Sequence, residues 1–153
     1  MPQPLLRTRT PDDTRPRLIA IDWGTTSLRG VLINAQGQIA DQRALPKGIL
    51  GIDAGGFEAA WQQHFGDWLA LSPDLCLLSG MVGSRQGWRE AAYCPCPANF
   101  DALSRHLLWL DTGSATPCAI VPGMSYAPHL PVTAVTSVPV VGSGNRFPVH
   151  RIY

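Results

Sequence analysis

Charge is what this chain of 153 residues has least of. Asp, Glu, Lys and Arg make up 15% of it, against about a quarter in an average protein. They also nearly cancel, since 12 Lys and Arg against 11 Asp and Glu leave a net charge of +1. So flat a balance supplies no field for nucleic acid or an anionic membrane surface, and neither is expected as a partner. Long apolar runs are missing too, and nothing approaches the ~20 residues of a membrane span. The N-terminal MPQPLLRTRTPDDTRPR is broken by prolines and has no apolar core of signal length. It is rich in arginine, but Asp12, Asp13 and the lack of an apolar helical face weigh against a mitochondrial presequence. Cysteines number four, at 76, 94, 96 and 118. Without a secretory signal they read as free thiols in a reducing compartment, and a cytoplasmic protein is expected. Cys94-Pro-Cys96 has no correctly spaced partners for a metal site. The sequence contains no GxGxxG, no GxxxxGK[ST] and no GxSxG, so the dinucleotide, P-loop and serine-hydrolase motifs are absent.

Turn formers, by contrast, are plentiful. Gly 15 plus Pro 14 is 29 of 153 residues, too many for a helical bundle and suited to an α/β or β-rich domain. Three zones follow. Residues 1–17 carry four arginines and four prolines and are expected to be disordered. Residues 18–125 alternate strand and helix patterns and form the domain. Residues 126–153 hold four prolines, no helical periodicity and no acid (the last acidic residue is Asp111), and are expected to be a disordered tail.

In the middle zone Arg17-Leu-Ile-Ala-Ile-Asp22 is a short continuous apolar run, as in a buried central strand. Ser27–Ile33 and Gln38–Leu45 are further strands, joined by an Asn34–Gly37 turn in which Gly supplies the positive φ. Strands linked by tight turns pair antiparallel. Phe57, Trp61, Phe65, Trp68 and Leu69 recur at helical spacing and predict an amphipathic helix packed on the sheet. Asp74–Ser79 is a fourth strand, Ala98–Leu108 a second helix and Pro117–Val121 a fifth strand. The order β-β-β-α-β-α-β predicts an α/β fold with a mixed sheet, the ribonuclease-H-like topology, with both helices packed on it.

The segment Ile19-Ala-Ile-Asp22-Trp-Gly24-Thr25-Thr26-Ser27-Leu-Arg29 carries the chemistry. Asp22 closes a buried strand and a Gly-Thr-Thr-Ser turn follows. Gly24 lets the backbone approach a phosphate, successive N–H groups make an anion nest, and the hydroxyls of Thr25, Thr26 and Ser27 add donors. A strand-end carboxylate such as Asp22 suits Mg²⁺ held through water. The plainer alternative is an Asp that only accepts hydrogen bonds from its own turn. Trp23 is expected to wall the cleft, and Trp61, Trp68 and Trp109 to be core or edge aromatics.

This segment resembles the first phosphate motif of the actin, Hsp70 and sugar-kinase superfamily. With Ser79–Trp88 (SGMVGSRQGW), Ala91–Phe100 (AAYCPCPANF) and Ile120–Ser125 (IVPGMS), the chain resembles the 2-dehydro-3-deoxygalactonokinase family over 18–125. The resemblance implies transfer of the ATP γ-phosphate to the 6-hydroxyl of 2-dehydro-3-deoxy-D-galactonate, with ATP and Mg²⁺ as cofactors. Asp22 would organise the metal, and Gly24, Thr25, Thr26 and Ser27 would line the phosphate turn. Gly80, Gly83, Ser84 and Trp88 match the second motif. Arg29 and Arg85 are candidates for the substrate carboxylate, because Arg recognises carboxylates in bidentate fashion.

The resemblance ends near Ser125, where the family continues into a second domain. The tail is therefore expected not to be family sequence. No catalytic base is assigned, since Glu90 and Asp111 match no motif. Little or no turnover is expected from the chain alone. The alternatives are a non-catalytic kinase fragment, a homo-oligomer joined through the face a second domain would cover, and another superfamily ATPase.

Overall fold

The computed structural model describes residues 15–127 and 151–152. Three strands open the chain: β1 (Pro16–Trp23), β2 (Leu28–Asn34) and β3 (Ile39–Leu45). They pair antiparallel in sequence order, and the turn between β2 and β3 places Gly37 at φ +77°. Helix α1 (Phe57–Leu69) crosses over to β4 (Leu75–Ser79), which lies parallel to β1. After a 3₁₀ turn at Met81–Gly83 come β5 (Cys94–Pro95), α2 (Phe100–Arg105), β6 (Leu108–Leu110), β7 (Cys118–Ile120) and β8 (Met124–Ser125). The strand β9 (Arg151–Ile152) pairs antiparallel with β8. The main sheet is mixed, in the order β3-β2-β1-β4-β7-β6, and β5-β8-β9 form a small second sheet.

Alternation along the strands divides the main sheet into two faces. Ile19, Ile21, Trp23, Leu28, Leu32, Cys76, Leu78, Cys118 and Ile120 face α1 and are buried. From α1, Phe57, Trp61, Phe65 and Trp68 meet them, each contributing about 3 kcal/mol of gross transfer free energy. Gly30 on β2 makes this contact possible, because the Phe65 ring lies where a Cβ would be. The opposite face carries half-buried Ala20, Val31, Leu77 and Val121 and exposed Asp22 and Arg29, and no described helix covers it.

β3 buries no side chain, so packing alone does not hold it. Arg43 does. Its guanidinium lies 4.2 Å over the Trp68 ring, donates to the His64 carbonyl and forms a two-pronged ion pair with Asp67. That hydrogen bond to Asp67 raises the Arg43 pKa, and in return Arg43 holds Asp67 below the usual carboxylate range. Trp68 Nε1 adds a 2.9 Å bond to Asp41.

Four expectations need correction. The second helix stops at Arg105, and Leu108–Leu110 form an antiparallel edge strand on β7. In that stretch Leu108 and Leu110 alternate with exposed Trp109, a period-two pattern. Nor is α2 packed on the sheet, for none of its six residues is buried; Asn99 caps it by accepting from the Ala102 amide. The N-terminal boundary moves as well. Pro16 and Arg17 belong to β1, and Arg15 and Arg17 both bind Asp74. The expected disorder of 1–14 and of 128–150 lies outside the described residues, whereas Arg151–Ile152 are in a strand. Trp23 does not wall a cleft. Its side chain is fully buried against Phe57 at 5.5 Å.

Candidate functional site

The site forms where parallel β1 and β4 end side by side, Asp22 opposite Ser79. Ligands in open α/β sheets collect at this carboxyl end, where loops leave the strands. Asp22 is exposed, and among the described residues its carboxylate has no hydrogen-bond or ion-pair partner. Arg29 stands opposite it on β2 and is also exposed.

The turn Gly24–Ser27 joins β1 to β2 and closes through the Gly24 amide on the Ser27 carbonyl at 2.8 Å. Thr25 and Thr26 are exposed. Among the described residues their amides have no protein acceptor, so those N–H groups remain free to bind an anion. The carbonyls of this turn point the other way. Gly24 O accepts from Ile49 at 2.9 Å and Thr25 O from Leu50 at 3.2 Å.

Gly80 leaves β4 at φ +92°, where side chains are strained. A Cβ there would come within 2.9 Å of both Asp22 Oδ1 and the Trp23 carbonyl. A bare glycine thus lets the β4 loop run beside the carboxylate without covering it. Ser79 Oγ donates to the Ile21 carbonyl at 3.2 Å and ties the two strand ends together.

Beyond Gly80 the chain folds over a cleft of about 320 Å³ lined by Met81, Gly83, Ser84, Arg85, Gln86, Glu90, Ala91 and Tyr93. A smaller hollow of about 110 Å³ adjoins it, reaching Ser79, Gly80 and the Val121–Gly123 segment. Ser84 Oγ donates to Met81 O at 2.7 Å and shapes the turn. Arg85 is 88% exposed, and its 3.9 Å contact with Glu90 is a weak surface pair.

Asp22, Gly24, Thr25, Thr26, Ser27, Arg29 and Gly80 therefore share the strand-end region. Gly83, Ser84 and Arg85 line the adjoining cleft. Trp88 lines neither hollow. Its ring stacks on Phe57 at 6.5 Å and tilts against Trp61 at 5.8 Å, which anchors the loop to the core. Three contributions were given no site role by the sequence reading: Tyr93 and the Val121–Gly123 segment, although both lie in family-like segments, and the Gly48–Leu50 segment behind the turn. Gly48 stood in a visibly glycine-rich loop, but composition does not tell which glycine is pressed against another backbone.

The family model described as 2-keto-3-deoxy-galactonokinase matches residues 22–135, so the resemblance runs ten residues past Ser125 into the segment expected not to be family sequence. A Rhizobium meliloti (strain 1021) protein named as a 2-dehydro-3-deoxygalactonokinase is 34% identical over 79 residues, which are 52% of this chain and 26% of that protein. The 2-dehydro-3-deoxygalactonokinase of Escherichia coli (strain K12) is 31% identical over 103 residues, 63% of this chain and 35% of that one. A crystal structure of a protein assigned as a 2-dehydro-3-deoxygalactonokinase from Sinorhizobium meliloti superposes with a TM-score of 0.62 at 27% identity. It covers 73% of this chain, and the chain covers 37% of it. The chain thus spans about a quarter to a third of the curated relatives it matches.

Proposed function

The chain belongs to the 2-keto-3-deoxy-galactonokinase family, and on that premise we propose that residues 18–125 are the phosphate-binding domain of an ATP-dependent sugar-acid kinase. The reaction is transfer of the γ-phosphate to the 6-hydroxyl of 2-dehydro-3-deoxy-D-galactonate, and the setting is cytoplasmic. The observation that carries this reading is the pairing of Asp22, unpartnered among the described residues, with a turn whose Thr25 and Thr26 amides have no acceptor among those residues. A ribonuclease-H-like topology is part of the proposal. The order β3-β2-β1-β4-β7, antiparallel through β1 and parallel beyond it, supports it, with β6 an added edge strand.

The residues fit Mg²⁺ and a phosphate chain. An exposed carboxylate beside a glycine leaves room for a hydrated cation, which holds its water reluctantly. Asp22 would hold the metal, and the Gly24–Ser27 turn the phosphates. When bound, the metal supplies neutralisation of charge on the transferred group. Arg29, across the strand pair from Asp22, adds a fixed positive charge at the same end. Gly83 and Ser84 shape the cleft for the sugar acid and Gly80 the hollow beside it, and Arg85 offers its guanidinium to the carboxylate. Trp88 positions that loop through the core.

No described residue is assigned as general base. Glu90 faces Arg85 across the surface. This, with a chain that covers only about a third of its relatives, favours a second reading of the isolated chain: it binds phosphate without turnover.

Titration with magnesium and tripolyphosphate tests the binding half. The wild type is expected to bind, and Asp22→Ala to lose the magnesium-dependent part at unchanged melting temperature. Binding that ignores both magnesium and Asp22 would sink the assignment. In a coupled assay with ATP and the keto-deoxy acid, turnover near the ordinary 1–100 s⁻¹ of kinases would overturn the reading of the isolated chain as non-catalytic.

A further inference from the structure

The phosphate-side face of the Gly24–Ser27 turn has a counterpart behind it. Gly48 has an extended backbone, φ −74° and ψ 178°, which any residue can adopt. Yet a Cβ at this position would overlap the peptide between Thr25 and Thr26, both its carbonyl group and the Thr26 nitrogen. Gly48 is therefore required by contact and not by conformation. The segment that carries it is stitched to the turn on both sides. Trp23 Nε1, from the buried ring just before the turn, donates to the Lys47 carbonyl at 3.0 Å. Ile49 and Leu50 donate to Gly24 O and Thr25 O. These bonds occupy the carbonyls of the turn, so its amides face outward. Ile49 itself is buried in the core, which gives the support a fixed base.

We infer that Gly48 is a positioning residue. The Lys47–Leu50 segment presses on the Thr25–Thr26 peptide from behind and sets the amide geometry on which anion affinity depends. The inference rests on the phosphate-binding reading above. A side chain at 48 would move the very peptide whose N–H is offered to the ligand, without touching the ligand.

The test compares Gly48→Ala with Gly51→Ala. Gly51 ends the 3₁₀ turn Ile49–Gly51 that Gly48 precedes, and a Cβ there meets nothing within 4 Å. Two readouts are taken on the full chain: amide hydrogen exchange at Gly24, Ile49 and Leu50, and affinity for magnesium tripolyphosphate. Gly48→Ala is expected to speed exchange at those three amides about tenfold. It should weaken tripolyphosphate by about tenfold, and leave the Ile19 and Leu78 amides within about twofold. Gly51→Ala should change neither readout. Unchanged exchange in Gly48→Ala overturns the inference. So does faster exchange with unchanged affinity, which would leave Gly48 a packing residue only. If the wild type binds no tripolyphosphate, the proposed function fails, and exchange at Gly24 alone decides whether Gly48 holds the turn. Should Gly48→Ala not fold, Trp23→Phe removes the donor to Lys47 O; exchange at Ile49 and Leu50 is then expected to rise about tenfold over the wild type with Leu78 within about twofold, and unchanged exchange at Ile49 and Leu50 overturns the inference.

Discussion

Replacing Gly30 by Ala tests how α1 sits on the sheet. The new methyl would overlap the edge of the Phe65 ring, 2.9 Å from Cζ, and stand 3.1 Å from Trp68 Cζ3. Phe65 is fully buried and Trp68 nearly so, so neither ring has solvent to swing into. The two rings also pack on each other at 5.3 Å. Relief must come from lifting the helix or bending β2, and overpacking of this kind costs about 1–3 kcal/mol. The cost has to exceed the roughly 0.4–1 kcal/mol that Gly→Ala gains by restricting the unfolded chain. With two constrained rings in the way, a net loss of about 2 kcal/mol is expected. A domain near 100 residues loses about 4–8 °C per kcal/mol, so the melting temperature should fall by roughly 8–16 °C. Thermal denaturation followed by circular dichroism reads this directly. Phe65→Leu in the same chain frees the space, so the double variant should be more stable than the sum of the two single losses, by at least about 0.5 kcal/mol. A Gly30→Ala protein that melts with the wild type, or a strictly additive double variant, would refute the seating of Phe65 over β2.

Other consequences are open to simple measurement. Arg43→Ala removes the ring contact and the partly exposed pair with Asp67, and should cost about 1 kcal/mol in denaturant titration, concentrated in β3. Because Arg43 lowers the Asp67 pKa in the folded state, the stability from this pair is present above the ordinary carboxylate value of 3.8 and fades as pH falls through the lower folded value. The variant should therefore show a shallower loss of melting temperature on acidification below about pH 4. Among the cysteines, Cys76, Cys94 and Cys118 are buried and Cys96 is half-buried. The hydrogen bond to Cys76, reinforced by burial, pushes the Cys118 thiol well above its usual range. Native labelling with a thiol reagent should modify Cys96 first, and early labelling of Cys118 would contradict the packing of β4 against β7.

The parts of the fold that could be read in advance are those in which one local pattern determines the outcome. Phe57, Trp61, Phe65 and Trp68 fix α1 because only a helix brings those rings to one face. The apolar runs around Ile21 and Leu78 fix two central strands, and Asn34–Gly37 fixes the turn between β2 and β3. The stretch Ala98–Leu108 misled because three turns of helix and a short helix followed by an edge strand share much of their composition. What separates them is the pairing of Leu108–Leu110 with Cys118–Ile120, a tertiary fact. At the site, Asp22 and Gly24–Ser27 were legible as a contiguous motif. Gly48 and Trp88 were not legible in their roles, because each acts through a neighbour remote in sequence: the Thr25–Thr26 peptide for one, Phe57 and Trp61 for the other.

The one-to-one register of β1 and β4, from Leu18 beside Leu75 to Asp22 beside Ser79, bears on how this site tolerates change in length. The carboxylate and the bare glycine beside it hang from two separate strands, and their spacing is counted out along those strands rather than fixed by a bond between them. One residue inserted within Leu75–Ser79 would carry Gly80 about 3.3 Å past Asp22. It would also turn every side chain between the insertion and the end of β4 to the opposite face of the sheet. Insertions between Arg85 and Gln86, both exposed beyond the strand, leave that spacing untouched. Across a set of length variants, damage should follow the strand in which the residue is added, not its distance from the phosphate turn.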